Sequence, residues 1–494
     1  MPAPTDRPVA VSLFRDAFAL ERRLFRAERL MPVIVAILFC AIAYAIANGV
    51  AWQDRQNTLL ASAQLEERAR LDEQLGKLAD MQKGLYTPPS AFQNPRSPLW
   101  VGLRHAATYA ALPPSPLAVS AIGQSDLNPP YVLVSADTRE SFALNDEIEN
   151  PGNLLAGRFD LSFFIVFLLP LVIVSLSYNV LSSEREQGTL AMVASNPVRI
   201  AVLMWAKLGY RAGLVLLPLV AFTLLLLLSM GAPVLQADGP LRLLVWLLVV
   251  LAYVGFWFAV TAAVTSLGKG SAQNALILVS TWIVLVLVVP TLGSVAVELA
   301  YPVPSRAEMI NTLREVKNDS AREADANAAR YAIEHESADN GGAVSEKDYK
   351  TASQRVMMVK LASDRIAATM AVHERQITSQ RDTTAWLRFL SPAVLLQDTL
   401  NEIAGTSDRR YADFARQVDD FHRSWQGYFN ERVLANRPLD AADYAQFPRF
   451  AYQPESAGVL IGRILPTLLG LLLPMLVLVV VASRGVARYP VDAR

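Results

Sequence analysis

Cysteine occurs once in 494 residues, at Cys40, and histidine only four times. A single cysteine inside an apolar run excludes an intrachain disulfide and argues against a cysteine-based metal site. His105, His335, His373 and His422 share no metal-ligand spacing, and neither His335-Glu336 nor His373-Glu374 belongs to an HExxH pattern. The nucleophile elbow Gly-x-Ser-x-Gly and the phosphate loop Gly-x-x-x-x-Gly-Lys-Ser/Thr are both missing. Gly268-Lys269-Gly270-Ser271 resembles the latter only superficially, because the spaced first glycine is absent. The expectation is therefore a chain that is not an enzyme, with no catalytic residue, metal or cofactor of its own. Charge is also scarce: 18% of residues are charged, 45 basic and 45 acidic, with no strongly basic block. That balance excludes nucleic acid as a natural partner.

What fills the chain instead is apolar, at 53% of residues. Six runs of roughly 20 uncharged residues suffice to cross a bilayer as helices. They cover 31–50, 161–180, 212–231, 243–267, 274–297 and 464–482. None alternates as barrel strands do, and inside lipid only a helix satisfies its own backbone. The fold class is thus mainly α, a polytopic membrane protein with six transmembrane helices. Basic residues collect on one side of this layout, with Arg7, Arg15, Arg22, Arg23, Arg26 and Arg29 before the first run and Arg185, Arg199, Lys207 and Arg211 after the second. The loop 232–240 has none. By the positive-inside rule both termini of this multi-pass chain are expected in the cytoplasm; the resemblance given below implies the inner membrane of a bacterial cell.

Residues 1–30 read as an amphipathic cytoplasmic leader helix, too long and too charged for a signal peptide. Residues 181–209 form a cytoplasmic loop, and 483–494 a cytoplasmic tail. Two long insertions fall outside, at 51–158 and 301–457. The first opens as a continuation of the first span, with Leu71, Leu75, Leu78 and Leu85 at helical spacing, then breaks at Pro88-Pro89 and Pro95. Tyr131 to Ser135 has strand propensity, so a small mixed α/β domain is expected there. The second reads as a long helical hairpin turning at Asn340-Gly341-Gly342, its later arm carrying Tyr349, Ala352, Val356, Val359, Ser363, Ile366, Met370, His373 and Ile377 in heptad spacing. Phe414, Val418, Phe421, Trp425 and Phe429 mark one side of another amphipathic helix. Such seams are expected to be cores rather than ligand grooves.

The densest charge near a span is Ser183-Glu184-Arg185-Glu186-Gln187-Gly188-Thr189-Leu190, followed by Asn196-Pro197-Val198. Ser183 and Glu186 have capping-box spacing, and Thr189 is an alternative cap. A short helix bearing Leu190, Met192 and Val193, stopped by Asn196-Pro197, is expected to run across the membrane face. Tyr178, Asn179, Asn274 and Glu298 lie near span ends, where interfacial anchoring or helix pairing is the expected role. Pro170, Pro218, Pro290, Pro466 and Pro474 are expected to kink spans.

Glu184 to Leu190 with Asn196-Pro197-Val198 resembles the cytoplasmic motif between the second and third spans of ABC-2-type transporter permeases. Gly123-Gln124-Ser125-Asp126-Leu127, Pro129-Pro130-Tyr131, Phe142-Ala143-Leu144-Asn145-Asp146, Gly157-Arg158-Phe159-Asp160 and Leu390-Ser391-Pro392 are similar to a bacterial subgroup with two large extracytoplasmic insertions. More distantly the chain resembles the permease of nitrous-oxide reductase maturation, from whose compact pattern its insertions depart. The resemblance implies the membrane subunit of an ATP-driven exporter, two permease subunits pairing as a homodimer or with a related chain. It implies a separate ABC ATPase subunit that holds ATP and Mg and is contacted through Ser183, Glu184, Arg185, Glu186, Gly188, Thr189, Leu190 and Pro197. Two other functions remain open: mechanotransmission, with ATP hydrolysis elsewhere moving the outer helices against a periplasmic partner, and a membrane-anchored assembly scaffold or sensor that uses no nucleotide.

Overall fold

The computed structural model describes residues 15, 18–23, 25, 30–123, 125–138, 159–195, 199–301, 308, 311–320, 322–323 and 346–490. Six helices among these are long and apolar enough to cross a membrane: Met31–Gln82, Leu161–Glu186, Ile200–Ser229, Gly239–Thr265, Ser271–Ala300 and Ala457–Val486. They are called here the first to sixth spans. Each contains the apolar run expected of it, except that the third ends at Ser229 and the fourth at Thr265, each two residues short of the expected 231 and 267. The fourth is the most buried and lies centrally, with Trp246, Val249, Val250, Tyr253, Val254 and Trp257 all shielded from solvent by the other spans. The fifth and sixth leave most of their apolar surface exposed, including Leu276, Leu292, Leu299, Leu473 and Val477. A stripe this apolar is stable only against lipid or another protein.

Two of the prolines expected to kink spans sit beside an irregular helical turn. Pro170 and Pro290 each follow a π-helical turn, Phe164–Leu168 and Ile283–Val288. Proline removes an amide donor and crowds the preceding turn, and the wider π turn accommodates both effects. The carbonyls this frees are taken by side chains of neighbouring elements. Tyr253 Oη donates to Val166 O at 2.8 Å, Trp282 Nε1 to Phe167 O at 3.2 Å, and Ser391 Oγ to Leu285 O at 2.6 Å. These bonds, impossible to replace with water inside hydrocarbon, lock the spans in register.

The helix of the first span does not end with its apolar run. It extends over Leu30–Gln82, 53 residues, or about 80 Å at the α-helical rise. Its far end carries Leu71, Leu75 and Leu78 into a second core, away from the spans. There the two insertions build one domain rather than two. β1 (Thr108–Ala111) pairs antiparallel with β2 (Tyr131–Val134), the expected strand, and both pack beside a helix from the second insertion. The helices used below are α1 (Ser182–Glu186), the last turn of the second span, with α2 (Thr189–Ala194), α3 (Glu346–Leu387), α4 (Pro392–Ala404), α5 (Asp408–Leu434) and α6 (Ala441–Ala445) outside the spans.

α5 buries Phe414, Val418, Trp425 and Phe429, the expected apolar side, against Val101, Ala110 and Val134 of the first insertion. Side-chain bonds to backbone carbonyls stitch the two halves: Trp425 Nε1 donates to Gly102 O at 3.3 Å, and Tyr444 Oη to Pro95 O at 2.7 Å. Gly102 is required by this approach, because a Cβ there would lie 2.5 Å from the Phe429 ring. The long arm α3 uses its seam as expected for a core. Val356 packs with Leu99 and Val433, while Ala362 and Ile366 pack with Leu313. The Gly341-Gly342 turn lies outside the described residues.

One element departs from the expectation that 301–457 stands wholly clear of the spans. α4 lies inside the bundle, its Ala393, Leu395, Leu396, Leu400 and Ile403 buried among the second, fourth, fifth and sixth spans. Its start is level with the middle of the fifth span, where Ser391 bonds Leu285 O. Thr399 meets Thr467 of the sixth span at 2.8 Å, and Arg242 at the start of the fourth span donates to Ile403 O at 2.8 Å. At 13 residues it is about 20 Å long, enough to reach from the middle of the bundle to the end where the fourth span begins but not to cross it.

Candidate coupling site

The charged turn after the second span is built into the end of the bundle opposite the domain. α1 carries Ser183, Glu184, Arg185 and Glu186, and each charged side chain reaches a different element. Glu184 Oε1 accepts from Lys207 Nζ of the third span at 2.5 Å. Arg185 Nη1 donates to Gly268 O, between the fourth and fifth spans, at 2.5 Å, and its guanidinium stacks over Tyr489 beyond the sixth span. Glu186 accepts twice from Ser271, from the backbone N at 2.7 Å and from Oγ at 2.9 Å.

The last pair corrects the expected capping box. α1 begins after Leu181 with no side-chain cap, and Ser183 Oγ instead accepts from Gln187 Nε2 at 3.0 Å. Glu186 performs the capping chemistry on another helix. Ser271 is the first residue of the fifth span, whose leading amides have no partner within the helix and carry the positive end of its dipole. A carboxylate there is favourable on both counts. Thr189 does not cap with its side chain either; its Oγ1 donates to Glu184 O at 3.1 Å.

Gly188, at φ 74°, turns the chain from α1 into α2. Leu190 then drops its side chain fully into the bundle core, while Gln187, Thr189, Ala191 and Met192 stay exposed, Met192 at 72%. Burial of one leucine contributes roughly 1.5–3 kcal/mol, so α2 is anchored by its own first turn. Pro197, with Asn196 and Val198, lies outside the described residues.

Behind the turn is a buried ionic cluster that motif reading did not single out. Lys207 and Arg211 are one helical turn apart at the start of the third span and both are buried. Arg211 donates to Glu21 Oε1 from Nε at 2.8 Å and from Nη2 at 2.6 Å, and it also reaches Leu176 O and Asn179 Oδ1. Glu21, in the leader, is 2% exposed and lies 3.9 Å from Lys207. Leader, second span, third span and charged turn therefore meet in one network, Arg211 to Glu21 to Lys207 to Glu184. Phe18 and Phe25 flank it against Tyr210, fixing the leader on the bundle by its apolar side. The signal available in the sequence was two basic residues four apart in an otherwise apolar span.

The other polar residues near span ends pair helices as expected: Asn274 is buried and its Nδ2 donates to Tyr178 O at 3.3 Å, while Asn179 accepts from Arg211. Glu298 is exposed. Burial pushes the Tyr489 phenol above its usual range, against the opposing pull of Arg185. Among the described residues no group of three or more His, Cys, Asp or Glu is placed to hold a metal ion.

Residues 306–453 match the model of a domain of unknown function, DUF3526. That stretch includes α3, α4, α5 and α6 and stops before the sixth span, so the charged turn is outside it. Neither a curated protein nor a solved structure matches the chain.

Proposed function

We propose that this chain is the transmembrane permease subunit of an ATP-driven ABC transporter, an exporter in the bacterial inner membrane, driven by a separate ATPase through the turn 183–198. The observation that carries this reading is the division of labour within the turn. Glu184, Arg185 and Glu186 tie it to the third span, the 268–271 loop, the fifth span and Tyr489, while Gln187, Gly188, Thr189, Ala191 and Met192 face outward. A push on the exposed surface of α2 is thereby delivered to several spans at once. Rigid transmission of this kind is what converts a partner's two states into two arrangements of a bundle.

In this reading the basic residues near the turn place it in the cytoplasm, with both termini, and the shared domain of the two insertions in the periplasm. The ATPase partner supplies the ATP and Mg chemistry, and a second permease subunit, identical or related, covers part of the exposed span surface. The test is reconstitution of the permease with its ATPase. The expected result is ATP hydrolysis that depends on both chains and falls when Met192 is replaced by aspartate; hydrolysis indifferent to the permease overturns the reading.

A second reading, mechanotransmission onto a periplasmic partner without cargo crossing, is favoured by one feature. The helix Leu30–Gln82 runs unbroken from the spans into the shared domain, so motion of the first span is motion of that domain.

A further inference from the structure

Between α4 and the half of the fifth span that leads to Ala300 lies a cavity of about 770 Å³. Its two walls differ in kind. The fifth span contributes Val286, Leu287, Val289, Pro290 and Val297, with the hydroxyls of Thr291 and Ser294 among them, whereas the opposite wall presents Arg388, Gln397, Asp398, Asn401, Asp408 and Arg409. Next in sequence to the lining residues Leu387 and Arg388, Trp386, Phe389 and Leu390 stand exposed, Trp386 at 79%, as do Leu292 and Leu299 of the fifth span. The cavity is thus lined by the apolar part of a span and neighbours in sequence apolar surface that only hydrocarbon or protein can cover.

The polar wall is neutral overall but sharply divided. Arg388 Nη1 donates to Asp398 Oδ2 at 2.5 Å; the Asp398 side chain is 37% exposed, the Arg388 side chain 12%. Two atoms of this wall are buried with no hydrogen-bond partner: Arg388 Nε, a donor, and Gln397 Oε1, an acceptor. An orphaned buried donor and an orphaned buried acceptor each cost about 1–3 kcal/mol, and both belong to side chains that line the cavity. A ligand that relieves both must offer an acceptor to Arg388 and a donor to Gln397 and Asp398, and it must have apolar chains for the facing wall.

We propose that this cavity binds a zwitterionic phospholipid whose headgroup carries a primary ammonium. The phosphate accepts from Arg388 and faces Arg409, the ammonium donates to Asp398 and Gln397, and the acyl chains lie along Val286, Val289 and Val297. A trimethylated headgroup has no N–H to donate, and a glycerol headgroup has no cation for Asp398. The site stands whether or not the chain is driven by ATP.

The test uses the full chain purified in mild detergent with equal amounts of phosphatidylethanolamine, phosphatidylcholine and phosphatidylglycerol, and native mass spectrometry of the retained lipid. The wild type is expected to retain phosphatidylethanolamine about tenfold over the other two, the size of one charged hydrogen bond. Asp398→Asn should reduce that preference to near parity. Gly293→Trp fills the cavity from the other wall, where an added side chain meets open space; it should abolish retention with an unchanged thermal midpoint, while Leu217→Trp on the exposed face of the third span should not. Equal retention of all three lipids overturns the proposal, as does retention untouched by Gly293→Trp or a crosslink between two copies through position 293 showing that a second chain fills the space.

Discussion

Glu186 and Ser271 are 85 positions apart, and the carboxylate of the first closes on the backbone amide and the hydroxyl of the second at 2.7 and 2.9 Å. The turn after the second span thereby caps the fifth. Any displacement of α1 must either carry the start of the fifth span with it or break two bonds to a charged acceptor.

Glu186→Ala should therefore behave as the loss of a helix cap contributed by a distant element, costing about 1–2 kcal/mol. Ser271→Ala, which keeps the backbone bond, should cost less. Thermal unfolding followed by size-exclusion fluorescence reads both, and a Glu186→Ala variant as stable as the wild type would show that the cap is not formed in the membrane. Replacing Glu184 and Glu186 together should uncouple ATP hydrolysis in the partner while leaving insertion intact.

Removing Glu21 leaves Arg211 and Lys207 buried with a single remaining carboxylate, Glu184, between them. Loss of one member of a buried pair costs about 3–5 kcal/mol, so Glu21→Ala should free the leader. Limited proteolysis between residues 18 and 25 should become fast in this variant. Because the Glu21–Arg211 pair is lost in either single change, Glu21→Ala and Arg211→Ala should be less than additive by about 0.5–3 kcal/mol. Additive effects would mean that the two do not meet.

The shared domain makes a sharper demand. Gly102→Ala puts a methyl group where the Phe429 ring stands, and overpacking of this kind costs about 1–3 kcal/mol. Phe429→Leu should rescue part of that loss. Absence of rescue, measured by the thermal midpoint of the two variants and their combination, would separate the first insertion from α5.

Asp160 links the same domain to the second span, accepting from Phe163 N at 2.7 Å and from Ile122 N at 2.8 Å. Burial raises its carboxyl above the usual range, although both backbone bonds pull the other way. The folded state thus holds the proton more tightly than the unfolded chain does. Its contribution to stability is fully present below the ordinary carboxylate range and declines as pH rises through the raised value. The midpoint difference between wild type and Asp160→Asn should accordingly shrink with rising pH and level off. A constant difference across the acid range would contradict the shift.

The sequence revealed the spans because about 20 apolar residues in a row have few uses outside lipid, and it revealed the charged turn because charges stand out between such runs. It revealed neither the partners of that turn nor the shared domain. Lys207, Gly268, Ser271 and Tyr489 are ordinary residues until folding brings them to α1, and Gly102 meets Phe429 across four intervening spans of sequence. α4 escaped for a different reason. It is too short to span, and Ser391-Pro392 reads as the end of a helix, when it is also the start of one, with Ser391 Oγ accepting from Val394 N. The capping box failed because its spacing is local, while the orphaned amides it serves belong to another span.

The proposed coupling role of the turn is tested most directly by a photoreactive residue at Met192 in the full chain, illuminated in a membrane that contains the proposed ATPase partner. The expected result is a crosslink to an ATP-binding chain whose hydrolysis this chain changes, and none from position 217 on the exposed face of the third span. A crosslink pattern that is the same at both positions, or one from Met192 that never includes an ATP-binding chain, would contradict it.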